Sequence, residues 1–251
     1  MIIPRPQDAI HKAWLYRLLM TIADDAVLMR HLKFKGGTCA AMLGWLDRFS
    51  VDLDFDAVDT TPYIVSSLNI RLQQLVNALG LGIKDYSKNG IQYFLRYDAP
   101  PHHRTTIKLE ASFPPPVSNI YEPVRFVDID RTIPAQTVET MFANKLVAVL
   151  DRWEKNHSLA GRDIYDIHYF FLHGQHYLPA IIKERRNTTV RQFLQELILF
   201  IEKHVTTTTV QQDLNALLSP EQFQRIYKTL KIETLVLLQD ELSRVKLNFM
   251  V

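Results

Sequence analysis

The acidic run at residues 51–58 constrains this chain more than any other segment, because aspartate alternates there with apolar residues. At period two, three carboxylates share one face of a strand: Asp52, Asp54 and Asp56. Aspartate is depleted in strands, and like charges on one face repel unless a cation lies between them. On an extended strand the Cα atoms of Asp52 and Asp54 lie roughly 7 Å apart, so both carboxylates can reach one metal centre. Oxygen ligands favour Mg²⁺, or Mn²⁺ in its place. The alternative is an acidic strand edge exposed to solvent.

Two glycines stand shortly before this strand. The pattern predicts a short strand at residues 33–35, a tight turn at Gly36-Gly37-Thr38 and a short apolar helix at residues 39–46. Glycine lets the backbone approach a ligand closely, and the amide groups that open a helix bind phosphate oxygens. The segment is therefore a predicted phosphate-binding turn.

Composition limits the class of protein. A chain of 251 residues with 47% hydrophobic content can form one large domain or two small ones with a substantial core. It has no apolar run near the ~20 residues that span a bilayer and no signal-peptide pattern, so we expect a cytoplasmic protein. The net charge of +2 does not by itself indicate nucleic-acid binding. The single cysteine, Cys39, excludes an internal disulfide and is predicted to be a core residue.

Periodicity divides the chain into a mixed front part and a helical back part. Helices are predicted at residues 7–31 and 62–79, and strands at residues 81–86, 91–97 and 104–113, with a hairpin turn at Lys88-Asn89-Gly90. The prolines at 114–116 are expected to end the sheet region, with one further strand or an extended segment at residues 121–129. We predict an α+β fold: a mixed sheet with flanking helices in a domain of residues 1–130, and a helical domain of residues 131–251 that closes the active-site cleft.

Other charged residues are weaker candidates for catalysis or for binding an acidic partner. Glu110 lies on a predicted strand, where it could act as a general base or simply be solvated. Lys145 and Arg152 lie on one side of a predicted helix, and could be surface cations. The run at residues 183–186 is the best basic patch; it is either a solvated face or a guide for an acidic acceptor such as RNA.

A family resemblance rests on the order of these motifs. Gly36-Gly37-Thr38 followed by Arg48-Phe49-Ser50-Val51-Asp52-Leu53-Asp54-Phe55 resembles the signature of polymerase β-like nucleotidyltransferases, in the form of the AbiEii/AbiGii toxin branch. Residues 141–152 are similar to the lysine-bearing helix of that branch, and residues 161–166 to its Arg-Asp-x-x-Asp helix. The resemblance covers roughly residues 30–170.

The resemblance implies that a metal-dependent enzyme transfers a nucleoside monophosphate from a nucleoside triphosphate (NTP) to an acceptor hydroxyl. The implied ligands of Mg²⁺ or Mn²⁺ are Asp52, Asp54 and Glu110. The implied catalytic residues are Asp52, Asp54, Glu110, Lys145 and Asp163, with Asp163 orienting Lys145. The implied nucleotide contacts are Gly36, Gly37, Thr38, Ser50, Lys145, Arg152 and Arg162. For Arg152 and Arg162, pairing with Asp151 and Asp166 to fix helix packing is the alternative.

Membership of that branch implies a toxin of a toxin–antitoxin or abortive-infection system, with tRNA or another RNA as acceptor and a cognate antitoxin as partner. Two other functions stay open at this point. One is a nucleotidyltransferase that modifies a small molecule or a protein. The other is a non-catalytic module that keeps the nucleotide-binding fold, although the retained aspartates argue against it.

Overall fold

A computed structural model of the chain describes residues 1–59, 61–87 and 90–247. The chain folds into two compact units: Met1–Pro115 with Ile120–Thr137, and Pro116–Asn119 with Val138–Val251. The first unit thus continues past the domain boundary predicted at residue 130, through a final strand that ends at Gln136.

A mixed sheet forms the centre of the first unit. Its strands are β1 (Leu32–Lys35), β2 (Leu53–Ala57), β3 (Gly82–Tyr86), β4 (Ile91–Arg96), β5 (Thr106–Ser112), β6 (Tyr121–Phe126) and β7 (Arg131–Gln136). Within the described chain they lie in the order β3-β4-β5-β2-β1-β7-β6. The pairs β2–β5 and β1–β7 are parallel, and the other neighbours are antiparallel. The prediction of a mixed sheet is confirmed.

Helices accompany this sheet in the same unit: α1 (Asp8–Ala23), α2 (Ala26–His31), α3 (Gly36–Met42) and α4 (Pro62–Ala78). The predicted N-terminal helix is interrupted, because Asp25 accepts hydrogen bonds from the N–H groups of Val27 and Leu28 and so caps a new helix, α2. Cys39 is fully buried in α3, where burial raises the pKa of its thiol, so its assignment to the core is confirmed. Lys88 and Asn89, predicted to form the hairpin turn, lie outside the described residues.

The glycine segment differs from the prediction of a separate turn. Helix α3 begins at Gly36, directly after β1, and ends at Met42 rather than at residue 46. Gly36 has a φ of +80°, which lets the chain pass from the extended backbone of Lys35 into a helix without an intervening turn. The two glycines are therefore part of the first helical turn.

The expectation that the prolines at 114–116 end the sheet is wrong. Strand β6 confirms the further strand predicted near residue 121, but β7 was not predicted, and it lies between β1 and β6. The sequence of β7 gives a weak strand signal. It has only two apolar residues that are buried, Ile133 and Ala135, and the proline between them argues against a paired strand.

The second unit is helical in the part that the structure describes, as predicted. Its helices are α5 (Val138–Asn156), α6 (Gly161–Leu172), α7 (Pro179–Arg186), α8 (Val190–His204), α9 (Thr207–Leu214), α10 (Pro220–Ile226) and α11 (Leu230–Leu247). Ser219 caps α10 by accepting a hydrogen bond from the N–H of Gln222. A Cβ at Gly161 would lie 2.7 Å from the carbonyl oxygen of Thr209, so α6 packs closely on α9 at this glycine. None of the helices among the described residues is both long and apolar enough to cross a bilayer.

Candidate active site

A row of polar side chains crosses one face of the sheet. Lys35 on β1 is the register partner of Asp54 on β2, and Asp54 is the partner of Glu110 on β5. Gln92 on β4 is in turn the partner of Glu110. Side chains of register partners lie on the same face, so we call Lys35, Asp54, Glu110 and Gln92 the polar row. The structure therefore brings together two of the predicted carboxylates, Asp54 and Glu110.

Gly36 lies directly against Asp54. A Cβ built on Gly36 would be 2.5 Å from Oδ2 and 2.8 Å from Cβ of Asp54, closer than real Cβ atoms come to other atoms. Gly36 also has a positive φ, which disfavours a side chain there. The glycine segment and the acidic strand are in van der Waals contact, and only glycine permits this approach.

Gly37 lies over a buried arginine. A Cβ at Gly37 would be 2.8 Å from Nη2 of Arg48 and 2.8 Å from Oγ of Ser50. Arg48 is 3% exposed, and its Nη1 donates to the carbonyl oxygen of Phe49 at 3.0 Å. The predicted nucleotide contacts Gly37 and Ser50 thus adjoin a guanidinium cation. Sequence reasoning placed Arg48 in the motif but gave it no role.

The backbone next to Asp52 is held by two side chains. Thr38 Oγ1 donates to the carbonyl oxygen of Asp52 at 2.5 Å. One residue earlier, the carbonyl oxygen of Val51 lies 2.9 Å from Nε2 of His11, a buried residue of α1. The Thr38 hydroxyl hydrogen is therefore used within the protein. His11 was not identified from the sequence, because a single histidine on an apolar helix gives no signal for a contact forty residues away in the chain.

His11 makes the stability of the fold depend on pH. Burial lowers the pKa of its imidazole to about 4, from an ordinary value of 6.5. Between these two values the unfolded chain binds a proton that the folded chain does not, so stability is lost as the pH falls from 6.5 towards 4. We expect urea unfolding to show a free energy of unfolding that falls by about 2–3 kcal/mol more, between pH 7 and pH 4.5, for the wild type than for His11→Gln. Parallel pH profiles for the two proteins would contradict this.

The Asp56 carboxylate is satisfied within the protein. It is 1% exposed, and its Oδ1 lies 2.5 Å from Nζ of Lys35. Its Oδ2 accepts from the Tyr121 hydroxyl at 2.8 Å and from Nε2 of Gln136 at 2.7 Å. These two donors come from β6 and β7, so the weak sequence signal for β7 also concealed the environment of Asp56. We assign Asp56 to the structural support of the polar row.

The donor set suits a hard cation, since the carboxylates of Asp52 and Asp54 supply oxygen ligands. Mg²⁺ is commonly bound by one or two carboxylates together with substrate phosphates. Among the described residues, no three His, Cys, Asp or Glu side chains form a group that could hold a metal ion. Glu110 instead forms an ion pair with Lys108 and accepts from Nε2 of Gln92 at 3.2 Å. Its role as a third metal ligand stays a prediction.

The second unit contains a charge cluster of four residues, Lys145, Arg152, Asp163 and Asp166, in which the two acids are buried. Nζ of Lys145 lies 2.8 Å from Oδ2 of Asp166 and 3.6 Å from Oδ1 of Asp163. Arg152 contacts the same Asp163, through Nη2 at 3.1 Å and Nε at 3.2 Å. The structure thus brings together the predicted residues Lys145, Arg152 and Asp163. Asp166 is closer to Lys145 than the predicted partner Asp163 is.

The alternative pairing of Arg152 with Asp151 is wrong. Asp151 is bound by Arg185 at 2.5 Å and by Arg186 at 3.0 Å. Arg186 also pairs with Glu154 and Glu196, so these two arginines of the predicted basic patch are neutralised by neighbouring acids. This disfavours residues 183–186 as a guide for RNA. Arg162 is half-buried on α6, and within residues 1–59, 61–87 and 90–247 it forms no ion pair.

We expect Asp166 to contribute strongly to the stability of the charge cluster. Replacing it by asparagine leaves the Lys145 ammonium, which is 16% exposed, with only the more distant Asp163. Removing one partner of a buried ion pair costs about 3 kcal/mol or more. We expect urea unfolding of Asp166→Asn to show a loss of this size. Glu154→Gln breaks the ion pair between Arg186 and Glu154, an acid that is 57% exposed. This change should lower the free energy of unfolding by less than about 1 kcal/mol. Equal losses in the two variants would contradict the assignment.

Three solved structures have a similar fold, and two of them are described as nucleotidyltransferases. JHP933 from Helicobacter pylori is 22% identical, with a TM-score of 0.63 over 98% of this chain and 98% of that chain. A second structure from H. pylori, described as a candidate nucleotidyltransferase, is 21% identical, with a TM-score of 0.63 over 96% and 98% of the two chains. MenT4, a nucleotidyltransferase toxin from Mycobacterium tuberculosis, is 18% identical, with a TM-score of 0.58 over 95% and 87%. At these identities the likeness establishes the fold.

A search of curated proteins found no match. The family model described as "Nucleotidyl transferase AbiEii toxin, Type IV TA system" matches residues 17–245, which is most of the chain. The match runs through both units, and it includes the glycine segment, the acidic strand and the charge cluster. The chain belongs to the AbiEii family of nucleotidyltransferase toxins from type IV toxin–antitoxin systems.

Proposed function

We propose that this toxin transfers a nucleoside monophosphate from an NTP to an acceptor hydroxyl, with a divalent metal held by Asp52 and Asp54. The observation that carries the proposal is the contact between Gly36 and the Asp54 carboxylate. Phosphates that approach the amide groups of Gly36 and Gly37 would lie beside the proposed metal ligands. The buried Arg48 below Gly37 adds positive charge at the same place.

In the proposed reaction the acceptor oxygen attacks the α-phosphorus in line. The bond from the α-phosphorus to the bridging oxygen breaks, and pyrophosphate leaves with that electron pair. Bound Mg²⁺ or Mn²⁺ would supply Lewis-acid stabilisation of the phosphate charge. Glu110 is the proposed acceptor of the hydroxyl proton, because it neighbours Asp54 on the same sheet face. Its contacts with Lys108 and Gln92 hold the carboxylate in one orientation.

Lys145 is the proposed phosphate-binding cation of the second unit. Ion pairs with Asp163 and Asp166 hold its ammonium group in place. A fixed cation stabilises charge that develops on leaving pyrophosphate at little cost in reorganisation. Arg152 is bound to Asp163, so its proposed contribution is to hold that carboxylate in place. Arg162, which has no ion pair in the described chain, is the second proposed phosphate contact.

The proposed acceptor is RNA, with tRNA ends first among the candidates. MenT4 is a toxin, and the family model describes toxins. A toxin that modifies tRNA would stop translation. Family membership implies a cognate antitoxin, and we propose the cytoplasm as the compartment because NTPs and tRNA occur there together. A small molecule or a protein is the alternative acceptor.

The test uses purified protein, Mg²⁺, each α-³²P-labelled NTP in turn, and total cellular RNA. We expect label on tRNA-sized RNA with one preferred NTP. Label on no RNA, together with label on small molecules or protein of a whole-cell extract, would overturn the RNA acceptor but keep the transferase. No label on any fraction would overturn the proposed function.

A further inference from the structure

A buried histidine outside the sequence motifs contacts the backbone that carries Asp52. His11 is 1% exposed; its Nε2 lies 2.9 Å from the carbonyl oxygen of Val51, and its Nδ1 lies 2.5 Å from the hydroxyl of Tyr97. A carbonyl oxygen can only accept, so Nε2 carries the proton and the neutral ring accepts at Nδ1 from Tyr97. Burial lowers the pKa of His11 to about 4, which keeps the ring neutral near pH 7 and so preserves this tautomer.

Val51 and Asp52 need side-chain donors because they precede the sheet ladder. Strand β2 begins at Leu53, and its register pairs with β5 start there. Both residues are partly buried, and a buried backbone carbonyl requires a donor. His11 donates to the carbonyl of Val51, and Thr38 donates to that of Asp52. Two consecutive carbonyls are thereby held by side chains from α1 and α3.

We propose that His11 is a positioning residue that fixes the backbone of Val51 and Asp52 and so sets the place of the Asp52 carboxylate for nucleotidyl transfer. This inference rests on the proposed metal-binding role of Asp52. His11 acts through its hydrogen bond to the backbone of Val51. A misplacement of about 1 Å at a reacting centre costs about 100-fold in rate, so one hydrogen bond at this backbone has a large effect.

Two amide variants separate the hydrogen bond to Val51 from the presence of a polar group at this site. The side-chain amide of His11→Gln reaches the position of Nε2 and can still donate to Val51. His11→Asn is one bond shorter, so its amide reaches the position of Nδ1, beside Tyr97, but not Val51. Leu15→Ala is the control for lost stability, because Leu15 is fully buried on the same helix and has no polar group.

Full-length variants are compared by circular dichroism, by kcat and KM for the NTP at saturating metal, and by electron paramagnetic resonance of Mn²⁺ binding without NTP. We expect His11→Asn to lower kcat about 10- to 100-fold and to weaken Mn²⁺ binding about 10-fold, with KM for the NTP changed less than about 3-fold. His11→Gln should stay within about 3-fold of the wild type in all three values. Leu15→Ala should lower the Tm and leave the kcat of the folded protein unchanged.

A folded His11→Asn with wild-type kcat and Mn²⁺ binding would overturn the role of His11 while the proposed function stands. Equal losses in the Asn and Gln variants would overturn it as well. Absence of transfer by the wild type would overturn the proposed function, and with it this inference.

If His11→Asn does not fold, Tyr97→Phe is measured instead, since this change removes the hydroxyl group that fixes the tautomer of His11. We expect about a 3-fold loss of kcat and weaker Mn²⁺ binding from it, and unchanged values would overturn the inference.

Discussion

Asp52→Asn and Asp54→Asn are each expected to lower kcat by at least about 1,000-fold while the protein stays folded. Asparagine keeps the shape of the side chain but removes the negative charge that a divalent cation requires. Loss of one group that stabilises transition-state charge costs about 100- to 1,000-fold, and a metal ligand also governs how the phosphates are held. The measurement is steady-state transfer of labelled nucleotide, with folding checked by circular dichroism.

Asp59→Asn is the matched control for these two variants. Asp59 follows β2 closely, and its Oδ1 accepts from the N–H and the hydroxyl of the nearby Thr61. The same change of charge there should leave kcat within about 2-fold of the wild type. A folded Asp54→Asn with the activity of Asp59→Asn would show that the Asp54 carboxylate has no part in catalysis.

Gly36→Ala is expected to have the second-largest effect, a loss of about 100-fold or more in kcat together with reduced stability. The new Cβ would lie 2.5 Å from Oδ2 of Asp54, so either the carboxylate or α3 must move. A shift of about 1 Å in a catalytic group is enough for a loss of that size. The positive φ of Gly36 adds roughly 1–2 kcal/mol of backbone strain.

Gly44→Ala separates strain from the contact with Asp54. Gly44 has a similar φ of +74°, but a Cβ there would meet no atom within 4 Å. We expect Gly44→Ala to lower the free energy of unfolding by roughly 1–2 kcal/mol and to leave kcat unchanged. If urea unfolding and transfer assays show the same small effects in both alanine variants, the contact between Gly36 and Asp54 is not functional.

Local sequence patterns predicted most of the elements because their signals are short-range. Alternation of Leu53 and Phe55 with aspartates predicted β2, and helical periodicity at residues 62–79 predicted α4. Strand β7 was missed because tertiary pairing with β1 and β6, rather than its own composition, makes it a strand. Gly36 and Gly37 were placed in a turn, because periodicity does not reveal that a helix can begin at a residue with positive φ.

Contacts within the site were predictable from the sequence only between residues that belong to the family motifs. Both the neighbours Asp54 and Glu110 and the pair Lys145 and Asp163 followed from the resemblance to the family. The greater proximity of Asp166 to Lys145 depends on how α5 and α6 pack, which spacing along one helix does not determine. His11, Tyr121 and Gln136 satisfy backbone or buried acids from distant segments, and such contacts leave no mark in a local pattern.

The most direct test of the central claim follows both ends of the triphosphate in one reaction. Purified protein is incubated with RNA, Mg²⁺ and the preferred NTP, labelled with ³²P either at the α- or at the γ-phosphate, beside the Asp54→Asn protein. We expect α-label to become bound to the acceptor and γ-label to be released as pyrophosphate in equal amount, and we expect neither with the Asp54→Asn protein. Transfer of γ-label to the acceptor, or equal transfer by Asp54→Asn, would contradict nucleotidyl transfer at this site.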